Sequence, residues 1–72
     1  MGSQAHPLVF KRQLDRIVER QRKAHQDDFS PVGGCIIEAP GYPAFHYTDV
    51  TPKAARAAAA QVGANYRFKF SA

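Results

Sequence analysis

The chain is poor in the residues that carry most protein chemistry. It has one cysteine, Cys35, so a disulfide within one chain is excluded. Reading a lone cysteine as a small buried hydrophobe in a reducing compartment explains it without function. No stretch approaches the roughly 18 consecutive apolar residues of a membrane-spanning helix. The N-terminus lacks the apolar core of a signal peptide, because Leu8-Val9-Phe10 runs directly into Lys11-Arg12. Met1-Gly2 opens like a myristoylation signal, but His6 stands where that pattern asks for Ser or Thr. The expected location is cytoplasmic or virion-associated, not secreted and without membrane contact.

Motifs for a cofactor, a metal or catalysis are missing. Gly33-Gly34 has neither the spacing of a P-loop nor that of a dinucleotide fingerprint, and a flexible turn explains the pair. Cys35, His6, His25 and His46 are the metal-ligand types with most affinity for zinc, but no two have the short spacing of a structural site. Cys35 and His46 would form a nucleophile–base pair only if a hairpin brought them together, and no orienting group accompanies them. Asp27-Asp28 and Glu38 do not make a catalytic carboxylate pair. The expectation is a protein without enzymatic activity, cofactor or metal.

Acid is scarcer than base. Ten Lys and Arg against six Asp and Glu give a net charge of +4 over 72 residues. That balance favours acidic partners but does not choose between protein and nucleic acid. One domain is expected, burying about 60% of its unfolded surface and stable by roughly 3–5 kcal/mol.

The pattern along the chain predicts an α+β domain in the order α-β-β-α-β. Residues 1–6 form a polar lead. Pro7 suits a first helical turn, and Phe10, Leu14, Ile17 and Val18 then fall on one side of a helix over about 7–26. Arg12, Arg16, Arg20 and Lys23 fall on the other side, and Glu19 stands four before Lys23, the favourable order for an ion pair. Asp27-Asp28, Ser30-Pro31 and Gly33-Gly34 predict a connection over 27–34. Strands are expected over about 35–39 and 44–48, joined by a Pro40-Gly41 turn, with Pro43 keeping the second at an edge. Thr51 and Pro52 start a second, alanine-rich helix over about 52–62, which Gly63 stops. Over 64–70, Tyr66, Phe68 and Phe70 alternate with Asn65, Arg67 and Lys69. The expected architecture is a three-stranded antiparallel sheet with both helices on one face, its strand order open and with Ile37, Phe68 and Phe70 in the core.

With no chemistry indicated, function is expected in binding. The basic helix face of Arg12, Arg16, Arg20 and Lys23 would meet an acidic surface, with Arg67 and Lys69 adding charge. Pro40 to Tyr47 would supply Tyr42, Phe45 and Tyr47 as aromatic anchors. A solvated helix face and a buried aromatic core are the plain structural readings of the same residues. The role expected is that of a protein-binding accessory: a minor subunit of a larger assembly, a phage virion included by analogy of size, or an inhibitor that occludes a partner's site. Another protein or a second copy is the expected partner. The alternative is a small nucleic-acid-binding or regulatory protein, using the helix arginines on phosphates and tyrosines on bases.

Overall fold

The computed structural model describes residues 6–27 and 32–69. Along the chain they form α1 (Pro7–Ala24), β1 (Gly33–Glu38), β2 (Phe45–Val50), α2 (Pro52–Gln61) and β3 (Asn65–Lys69). The expected α-β-β-α-β order holds, and the strands make one antiparallel sheet in the order β2-β1-β3. The C-terminal strand therefore pairs with the first strand of the hairpin and makes that strand central.

Each helix begins as its residues dictate. His6 caps α1, its Nδ1 accepting from the Leu8 amide at 3.1 Å, and Pro7 follows where no amide is needed. Thr51 Oγ1 accepts from the Ala54 amide at 3.2 Å, with Pro52 next. Gly63, at φ 65°, ends α2: its amide bonds the Ala60 carbonyl at 3.3 Å and the Ala64 amide bonds Ala59 at 2.9 Å. That pair of bonds is the glycine-terminated helix stop the sequence indicates.

Most boundaries differ from the sequence reading by one or two residues, and four of the differences matter here. First, α1 stops at Ala24 rather than 26, where the His25 amide is shared between the Gln21 and Arg22 carbonyls. Gln26 and Asp27 are exposed, and an acid is unfavourable at a helix C-terminus. Second, Gly33 and Gly34 belong to β1 instead of the connection, paired with Val50 and Lys69. Neighbours on both sides outweigh the intrinsic weakness of glycine in a strand. Third, β2 continues to Val50 through a bulge. Thr48 and Asp49 both fit opposite the single residue Gly34, between Gly33 and Cys35, and Asp49 takes a left-handed φ of 56°. Fourth, β3 spans Asn65–Lys69, and Phe70 lies outside the described residues.

Register decides which side chains meet the helices. Cys35 stands across from Tyr47 and Phe68, and Ile37 across from Phe45 and Tyr66. Cys35 and Ile37 are buried, so this set faces the helical layer. Phe10, Leu14 and Val18 of α1 and Ala54, Ala55, Ala58 and Ala59 of α2 complete the core, together with Val50 and Ala39. Phe68 is partly buried against it. The small alanines let α2 lie close to α1 and β3. On the other face of the sheet Ile36 lies between His46 and Arg67.

Candidate partner-binding surface

The aromatic segment expected to supply anchors is tied into the domain. Pro40-Gly41 makes a turn closed by the Tyr42 amide on the Ala39 carbonyl at 3.1 Å, with Gly41 at φ 83°. The turn lays Tyr42 flat on Phe10, ring centres 4.0 Å apart, while Phe45 approaches the same ring at 6.0 Å. Tyr47 is half-buried and donates its hydroxyl to Asp15 Oδ1 at 2.7 Å, joining β2 to α1. Burial, then the Asp15 carboxylate, push the Tyr47 hydroxyl well above its usual pKa near 10, and the positive charge of Arg22 opposes them only in part. Tyr42 and Phe45 therefore direct ring surface at Phe10 of α1, and Tyr47 directs its hydroxyl at Asp15 of the same helix.

The charged residues have the opposite disposition. Arg12, Arg16, Arg20 and Lys23 are exposed along the outer side of α1, and among the described residues none of them has an ion-pair partner. The expected Glu19–Lys23 pair is replaced by Glu19 with Arg22 at 2.8 Å. Arg22 is drawn to the flank of α1 because its guanidinium also donates to the Thr48 carbonyl, which leaves Lys23 unneutralised. Asp15, the other acid of α1, is occupied by Lys11 at 3.0 Å and by Tyr47. Successive arginines four residues apart rise about 6 Å each, so Arg12 to Lys23 spans about 16 Å.

Two cations escaped the sequence reading. Lys53 and Arg56 lie exposed on the outer side of α2, which packs beside α1. The signal was available: in the alanine-rich helix they are the only charged residues, on the side opposite Ala54, Ala55, Ala58 and Ala59. The two helices hold eight of the ten basic residues and two of the six acids. Their net charge is +6 in a chain of +4, so everything outside them sums to −2. The positive charge is thus concentrated on the helical layer, where six cations have no ion-pair partner among the described residues.

Arg67 is elsewhere, on the open face of the sheet, where it bonds Glu38 at 2.9 Å. Lys69 stands opposite Gly34 at the end of β3. Neither is continuous with the helical stripe in sequence or in element. Between α1 and β2 a polar cleft of about 350 Å³ is lined by Lys11, Asp15, Glu19, Arg22, His46 and Thr48, most of them already paired with one another.

The catalytic pairing weighed from sequence is not assembled. Cys35 faces the core, 2% exposed, and burial raises its thiol pKa. His46 stands across from Ile36, on the other side of the sheet. Among the described residues no three His, Cys, Asp or Glu side chains gather where a metal ion would sit, and no helix is long and apolar enough to cross a membrane. No protein-family model, curated protein or solved structure matches the chain.

Proposed function

We propose that this chain is a non-enzymatic accessory protein that binds an acidic surface of a protein partner through the outer side of its helical layer. It would serve as a minor subunit of a larger assembly or as an inhibitor covering a partner's site. The observation that carries this reading is the segregated charge: Arg12, Arg16, Arg20, Lys23, Lys53 and Arg56 are exposed and, among the described residues, have no ion-pair partner. Such a surface speeds encounter with an acidic partner and discriminates against basic ones. Tyr42, Phe45 and Tyr47 support it indirectly, by fixing α1 against the sheet so that its charges are presented on a rigid element.

A second reading is favoured by the straight line of arginines, which would also follow a phosphate backbone. Stacking on bases would then need other residues, since Tyr42 and Tyr47, the two rings named for it, are turned to α1. Capture of partners by the tagged full chain from native-source extract, with and without nuclease, separates the two. A stoichiometric protein that survives nuclease and is lost with Arg12→Gln, Arg16→Gln and Arg20→Gln together supports the first reading. Capture that vanishes with nuclease, with nucleic acid recovered otherwise, replaces it with the second. Retention of the partner by the triple variant refutes the helical-face assignment in both.

A further inference from the structure

We infer that the outer edge of β3 is a second contact, an addition site for an extended acidic segment of the partner; this rests on the partner being a protein with acidic surface. The sheet order leaves two outer edges, on β2 and β3. The β2 edge is poorly suited to another strand: the Asp49 bulge interrupts its ladder, and the Arg22 guanidinium occupies the Thr48 carbonyl. By contrast β3 pairs with β1 without a register shift over Asn65–Lys69, and among the described residues no strand covers its other side.

The two faces beside that edge specify what it would accept. On the helix-facing side Tyr66 remains 39% exposed, because the residues α2 turns inward are alanines and cover little beyond the core. An added strand would rest an apolar side chain on the uncovered flank of Tyr66. On the open side Arg67 is paired with Glu38 yet largely exposed, with guanidinium donors left for a second carboxylate. Residues alternate between faces along a strand, so the fitting segment alternates acidic and apolar residues. A second copy of this chain is the poorer occupant, since antiparallel pairing of β3 with itself would bring the exposed Arg67 of each copy together. Charge on an edge strand also serves to prevent pairing altogether, and the experiment must separate that role from selective recognition.

The test is amide hydrogen exchange by NMR on the full chain, with and without a capped octapeptide of alternating Glu and Val. Hexaglutamate and an alternating Lys–Val octapeptide serve as comparisons. The Glu–Val peptide is expected to protect amides within Asn65–Lys69 and to leave Phe45–Val50 unchanged. Arg67→Gln should weaken its binding about fivefold, the effect of losing one exposed ion pair near the top of the ordinary range. Arg67→Glu should turn the preference toward the Lys–Val peptide. Protection confined to α1, as hexaglutamate would give, overturns the proposal, as does absence of protection in β3 or dimerisation through that edge. Arg16→Glu with Arg20→Glu keeps the two surfaces distinguishable. Loss of partner capture with β3 protection intact locates the helical contact independently; intact helical capture with no response at β3 refutes this inference alone.

Discussion

Removing one oxygen atom tests how α1 is held on the sheet. Tyr47→Phe deletes the 2.7 Å bond to Asp15 and keeps the ring that packs against the core. A hydrogen bond to a charged group contributes about 1.5–3 kcal/mol. Here Asp15 is 43% exposed and keeps Lys11 at 3.0 Å, so water and the ammonium replace much of what is lost. The expected cost is about 1 kcal/mol, below the lower end of that range. For a domain this small it corresponds to a fall of about 6 °C in Tm, readable by circular dichroism. The pH dependence gives a second reading. The hydroxyl's folded-state pKa lies above its unfolded value near 10, so the contribution is complete below pH 10 and is lost as pH rises beyond it. Tyr47→Phe should therefore narrow its stability difference from the parent as pH climbs past 10. A variant that melts with the parent at pH 7, or whose deficit does not shrink at alkaline pH, would show that the bond does not hold α1 in place. Asp15→Asn in a double-mutant cycle should give a coupling of about 1 kcal/mol.

Three further outcomes follow from the packing. Leu14→Ala empties a site that is 0% exposed and should cost about 3 kcal/mol; against a total of roughly 3–5 kcal/mol this leaves about 0–2 kcal/mol, so urea titration at 25 °C should find the midpoint moved close to zero denaturant. Gly63→Ala places a side chain at φ 65° with open space around it, so the cost is backbone strain of about 1 kcal/mol, seen as a lowered urea midpoint with an unchanged slope. The Cys35 thiol is buried and its pKa is raised, so a thiol reagent at pH 8 should label it only at the rate of unfolding, and rapid labelling of the native protein would contradict the placement.

How legible the molecule was depends on whether a feature is local. Thr51-Pro52, Gly63 and Pro40-Gly41 determine their cap, stop and turn because the relevant bonds close within a few residues. The apolar spacing of Phe10, Leu14 and Val18 fixed one face of α1, and with it the exposed line of Arg12, Arg16, Arg20 and Lys23. Which charges stay free was not local. Arg22 outcompetes Lys23 for Glu19 because it is also anchored to the Thr48 carbonyl, a residue distant in sequence. His6 could have been read as a cap, being a polar residue directly before Pro7, but histidine is a rare one.

What the sequence determined by itself is the order of elements and the periodicity that gives each one an apolar side; both follow from bonds and angles within a few residues. Only the tertiary structure decided the strand order β2-β1-β3, because several pairings leave the same local pattern satisfied. It drew Gly33 and Gly34 into a central strand and carried β2 past Asp49 to bury Val50, since backbone partners on neighbouring strands outweigh local propensity. It also turned Tyr42, Phe45 and Tyr47 toward α1. An aromatic side chain in a small domain gains more from a nearby apolar face than from water, and where that face lies is set by the packing of the whole chain.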